Sequence, residues 1–139
     1  MECTVKWIAG GMSFVAETSS GHAFVMDGAP EAGGRNIGPR PMETVLAGTG
    51  GCTAFDVVLI LRKSGQEVSA CEVRLAAQRA ETDPKVFTSI HMHFVVRGKN
   101  LKTSLVESAI KLSHNKYCSA SAMLAKTASI THDYEIVEQ

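Results

Sequence analysis

The chain lacks an excess of charge of either sign: fourteen basic residues balance fourteen acidic ones. That removes the electrostatic footprint of a nucleic-acid or anionic-membrane binder. It also leaves little repulsion to keep copies apart, which favours self-association. Aromatic residues are few, at 6%, with a single tryptophan. No apolar stretch reads as long as the roughly 18 residues of a membrane span, and no basic region runs into an apolar segment of signal-peptide length. The expected compartment is therefore the cytosol. There, four cysteines (Cys3, Cys52, Cys71, Cys118) are reduced thiols and not a disulfide framework. None forms a CxxC pair, so zinc-ribbon and thioredoxin-type motifs are excluded. GxSxG, HExxH and Gly-rich phosphate loops are missing as well.

What is present is an ordinary globular composition, 45% hydrophobic and 20% charged over 139 residues. It fits one domain, residues 1–139, with room for a real core. Three alternating segments, "CTVKWIA", "MSFVAET" and "HAFVMDG", are separated by Gly10-Gly11 and Ser20-Gly21 and predict an antiparallel meander. "APEAGGRNIGPRP" follows as a long Gly/Pro-rich loop carrying Arg35 and Arg40.

A long helix is predicted from Pro41 to Lys63, with Glu43 in its first turn and Arg62 and Lys63 in its last. Its middle, "AGTGGC", places three glycines before Cys52, each weakening a helix by roughly 0.5–1 kcal/mol relative to alanine. Small neighbours there leave room for a substrate or another cysteine to approach Cys52. "EVSACEVRLAAQRA" and "VFTSIHMHFVVRG" then alternate as a long hairpin, with Ile90, Met92, Phe94 and Val96 on one face. Leu101, Leu105, Ala109 and Leu112 mark an amphipathic helix, and "SITHDYEIVEQ" closes as a strand. The plan is α+β: an antiparallel sheet burying a face against a long central helix.

Cys3 and Cys71 lie in strands and read as small apolar residues. Cys52 and Cys118 differ, each bordered by small residues that leave room for approach. A thiol acts as a nucleophile through its thiolate, which needs a nearby cation or a helix N-terminus. Cys118 sits where a short terminal helix begins. Cys52 sits mid-helix and needs a cation from elsewhere, for which Arg35 and Arg40 are both candidates. Glu43 reads first as a partner of the helix dipole. His91 and His93 share one strand face at a spacing compatible with a metal, but without a third ligand nearby they read as a solvated face.

"GPRPMETVLAGTGGCTAFDV", followed by "SHNKYCSASAML", resembles the OsmC/Ohr family of peroxide-handling proteins over essentially the whole chain. The resemblance implies an intertwined homodimer with long central helices inside wrapped sheets and active sites at the subunit interface. It implies a peroxidatic Cys52, a resolving Cys118, an activating Arg35 and a Glu43 that holds the arginine. The implied partners are an organic hydroperoxide, a dithiol reductant and a second copy of the chain; no cofactor or metal is implied. Two other readings are a protein that binds an apolar ligand in the dimer cleft and a cysteine redox sensor.

Overall fold

The computed structural model describes residues 1–139, which divide into two compact units, Met1–Leu46 and Ala47–Gln139. In the first unit, β1 (Cys3–Ile8), β2 (Ser13–Thr18) and β3 (Ala23–Asp27) form the expected antiparallel meander. Gly10 and Gly21 turn the chain with φ of 91° and 84°, a region that glycine enters without steric cost. The sheet's buried positions are few, namely Ser13, Ala16 and Asp27. All of β1 is exposed, including Val5 and Trp7. The unit therefore presents more apolar strand surface than it covers.

Asp27 organises the loop beyond β3. Its carboxylate accepts the Arg35 N–H at 2.8 Å, the Ile37 N–H at 3.1 Å and the Ser13 hydroxyl at 3.1 Å. Burial pushes this carboxyl's pKa up, but the Ile37, Arg35 and Gly28 N–H groups and Ser13 outweigh it and hold it below the usual value.

Helix α1 runs over Pro41–Lys63, with the bounds expected from sequence. Pro41 suits a first helical position, and Gly65, at φ 73°, follows the last turn. The helix is long and apolar enough to cross a membrane by length and composition alone, which corrects the expectation that no segment reaches that size. Core helices of soluble proteins pass the same test, and α1 buries Thr53, Val57 and Leu61 within the second unit.

The second unit holds β4 (Glu67–Arg79), β5 (Phe87–Lys99) and β6 (Ser129–Glu138) in the order β4-β5-β6. β4 and β5 pair antiparallel, while β6 runs parallel to β5 in the register Met92↔His132. The α+β class is as read, but a single antiparallel sheet is replaced by two three-stranded sheets, one of them mixed. The parallel pairing follows from the crossover through α2 (Thr103–Leu112) and α3 (Ser119–Leu124), since helical connections return a chain in the direction it left.

Ile90, Met92, Phe94 and Val96 form the buried face of β5, as their alternation predicts. The buried face of α2 is Val106, Ala109 and Ile110, whereas Leu112 stays exposed. Both sets of residues satisfy a spacing of three and four. The rotation observed is the one that also turns Ser113 inward. After α2 the backbone widens into a π-helical turn, Ser113–Tyr117, closed by the Cys118 N–H donating to the Ser113 carbonyl at 2.9 Å. Such turns insert one residue into the helical ladder and re-aim the side chains beyond it.

Candidate functional site

Cys52 and Asp56 stand four residues apart on α1 and so project from one face, one turn apart. Cys118 reaches the same place from the other direction. The π-helical turn ends on it, and it caps α3. The Ser121 N–H donates to its Sγ at 3.4 Å and the Ser121 hydroxyl at 3.2 Å. The Cys52 and Cys118 sulfurs and an Asp56 carboxylate oxygen all lie within 4.8 Å of one another. The two cysteines singled out in the sequence are therefore neighbours in space.

The two thiols differ. Cys118 is only 2% exposed, whereas Cys52 is half-buried. Burial pushes the Cys118 pKa up, the two Ser121 hydrogen bonds pull it down, and nearby Cys52 adds a smaller upward push; the net shift is upward. Cys118 thus favours the neutral thiol, and the more accessible sulfur is Cys52.

Below the sulfurs lies a buried hydroxyl chain. Ser113, fully buried, donates to Asp56 at 3.1 Å, and its Oγ is 2.9 Å from Thr53 Oγ1. Thr53 follows Cys52 in α1, so this chain ties the helix at the cysteine to the turn that presents Cys118. Asp56 also borders a cleft of about 310 Å³ lined by Leu59, Ile60, Leu112 and Tyr117, with Lys63 as its other charged group. Sequence reading did not single out Asp56 or Ser113. The available signal was the Cys-x3-Asp spacing on a helix.

Gly50 answers part of the glycine question. A Cβ there would come 2.7 Å from Leu75 Cδ1 of β4, so the residue lets α1 approach the sheet. Gly48 and Gly51 face open space instead.

The remaining candidates have partners of their own. The Arg35 guanidinium donates to Ser13 Oγ at 3.2 Å, and the Arg40 guanidinium to Asn36 Oδ1 at 3.1 Å and to the Gly38 carbonyl at 3.3 Å. Glu43 accepts the Arg40 backbone N–H at 2.8 Å, the reciprocal half of a capping box at the start of α1. Cys3 is exposed, unlike the apolar strand residue expected, and Cys71 is half-buried with burial pushing its pKa up. His91 and His93 occupy a half-exposed strand face beside β6. There His93 Nδ1 lies 2.6 Å from Asp133 Oδ1 and His91 Nδ1 2.8 Å from Thr131 Oγ1. His93 in turn holds the Asp133 carboxyl below its usual value.

Residues 33–133 match the family model described as OsmC-like protein. Protein YhfA of Escherichia coli strain K12 is 47% identical over 137 residues, covering 99% of this chain and 98% of its own. A hypothetical protein from Aquifex aeolicus has a crystal structure with a TM-score of 0.85 at 29% identity, covering 99% of this chain and 96% of its own. An organic hydroperoxide resistance protein OsmC from Legionella pneumophila shares the fold with a TM-score of 0.68 at 15% identity, covering 97% of each chain.

Proposed function

The chain belongs to the OsmC-like family, related to the organic hydroperoxide resistance proteins, and on that premise we propose that it is a thiol-dependent peroxidase acting on organic hydroperoxides. The observation that carries the reading is the convergence of the Cys52 and Cys118 sulfurs within 4.8 Å. The Cys52 thiolate attacks the distal peroxide oxygen, the O–O bond breaks, and the departing alkoxide takes a proton to leave as an alcohol. Cys52 then carries a sulfenic acid. The Cys118 sulfur attacks it, water leaves, and a disulfide joins the two residues. A dithiol restores both thiols by exchange. Exposure supports this division of labour, since Cys52 is the half-buried sulfur and Cys118 the sheltered one.

The cleft beside Asp56, with Leu59, Ile60, Leu112 and Tyr117 on its walls, supports an organic substrate over hydrogen peroxide, because an apolar group gains from burial there. Arg35 and Glu43 enter the proposal as the activating cation and its anchor. The homodimer enters it too. Phe55 at 68% exposure and Leu59 at 38% lie on α1 beside Gly51, an uncovered apolar face suited to a second copy.

The test is rapid mixing of the reduced protein with cumene hydroperoxide, followed by intact mass. Loss of two thiols, one Cys52–Cys118 disulfide and a rate far above that of a free thiol are expected. The same mixing with Cys52→Ser should give no oxidation, with Cys118→Ser a trapped sulfenic acid, and with Arg35→Gln a slower first step. A parent rate equal to that of a free thiol at the same pH rejects the peroxidase and leaves ligand binding or redox sensing. Sedimentation of Phe55→Glu alongside the parent tests the dimer.

A further inference from the structure

Asp56 does not help ionise Cys52, since a carboxylate next to two sulfurs works against accumulating negative charge on them. It takes part in none of the chain's ion pairs. Its hydrogen-bond partner is the neutral Ser113 hydroxyl. Three side chains that become anionic on losing their protons thus share one partly enclosed spot with no cation among them.

We propose that Cys52, Asp56 and Cys118 form a site for a thiophilic, tetrahedral divalent cation of the Zn2+ class, occupied when the cysteines are reduced. Two thiolates and one carboxylate suit such an ion, whereas Mg2+ and Ca2+ require six or more oxygen ligands. Bonds of about 2.0–2.3 Å at tetrahedral angles put ligand atoms roughly 3.5–3.8 Å apart. The three atoms already lie within 4.8 Å, so side-chain rotation of about an ångström completes the cage. The supports are in place: Cys52 and Asp56 are held one turn apart on a single helix, Ser113 orients the carboxylate, and Ser121 orients the Cys118 sulfur. A fourth position remains for water.

The site does not depend on peroxidase turnover. It does exclude the disulfide, because the same two sulfurs serve both. When an organic hydroperoxide accepts two electrons and two protons, its O–O bond breaks to give alcohol and water. The two thiolates then become a disulfide and the metal leaves.

The full chain, reduced and stripped with a chelator, is titrated with Co2+ as the spectroscopic probe and then with Zn2+. One Co2+ per chain with thiolate-to-metal charge-transfer absorption, displaced by Zn2+, is expected, and Mg2+ or Ca2+ at the same concentration should produce no displacement. Cys52→Ser and Cys118→Ser should weaken binding at least a hundredfold. Asp56→Asn should weaken it about tenfold while the charge-transfer band remains. In the parent, Zn2+ should shield Cys52 and Cys118 from alkylation and leave Cys3 reacting at its unchanged rate, a readout that needs no variant to fold. Binding as tight in Cys118→Ser or Asp56→Asn as in the parent overturns the proposal. So does its loss in His91→Ala/His93→Ala, or shielding of Cys3 as strong as that of the pair.

Discussion

Ser13 donates to Asp27 at 3.1 Å in the first unit, and Ser113 donates to Asp56 at 3.1 Å in the second; both serines are fully buried. The resemblance stops at the second carboxylate oxygen. Asp27 Oδ2 is taken by the N–H groups of Arg35 and Ile37, so its acceptor capacity is spent on loop backbone. Asp56 has no backbone donor among its partners and lies within 4.8 Å of two sulfurs. A carboxylate saturated by backbone donors fixes a conformation, because each N–H it leaves would be an orphan. One held by a single hydroxyl keeps lone pairs free for a proton or a metal. The same residue pair thus stands in two different donor environments.

Removing Asp27 tests the structural half of this contrast and has the largest expected effect. Asp27→Ala strips acceptors from the loop N–H groups at a fully buried position. We expect its thermal midpoint to fall by roughly 5–10 °C, the size of change a small domain shows when buried donors lose their partner. A midpoint within a degree of the parent would place the loop's stability elsewhere.

Asp56→Asn tests the other half, and its effect falls on rate. Because Cys118 is held toward the neutral thiol, closing the disulfide requires a proton acceptor, and Asp56 is the carboxylate beside it. Closure of the Cys52 sulfenic acid should slow by about tenfold or more, with a midpoint within about 2 °C of the parent. A variant that closes as fast as the parent makes Asp56 as structural as Asp27.

The contrast also bears on what a sequence can disclose. The strands of the first unit and the ends of α1 were legible because alternation, Gly turns, Pro41 and Gly65 are local signals. The parallel partner of β5 was not, since a strand's local pattern does not name its neighbour across 40 residues. The face of α2 differs from the one expected because two sets of residues share one periodicity, and the burial of Val106, Ala109 and Ile110, with Ser113 turned inward to Asp56, is visible only in three dimensions. Cys52 and Cys118 were visible as candidates through their small neighbours. Their proximity depends on a π-helical turn that no composition rule marks. Asp27 and Asp56 look alike as letters in a chain, and only their donors tell them apart.

Acid sharpens the comparison with a smaller effect. The Asp27 carboxyl is held below its ordinary value of 3.8, so the folded state binds its proton less readily than the unfolded chain does. Its stabilising contribution is therefore complete above that value and is lost as pH falls through the lower, folded one. Hydrogen exchange at the Arg35 and Ile37 amides should accelerate, relative to the intrinsic rate, as pH drops below about 3.8. In Asp27→Asn the step should vanish. A step of equal size in that variant assigns it to another carboxyl.

The smallest effect concerns two adjacent glycines of α1. Gly50 has Leu75 against it, while Gly51 has open space within the chain. Inside one chain, then, Gly51→Ala adds helix propensity without a clash and should stabilise by about 0.5–1 kcal/mol. If a second copy lies on the face carrying Gly51 and Phe55, the added methyl meets that copy, and the sign reverses wherever the dimer persists. Chemical denaturation at two protein concentrations a hundredfold apart separates these cases. The proposed dimer requires the parent midpoint to rise with concentration and Gly51→Ala to lose part of that rise. A midpoint that ignores concentration, with Gly51→Ala uniformly more stable, identifies α1's open face as solvent-facing and removes the second copy from the proposal.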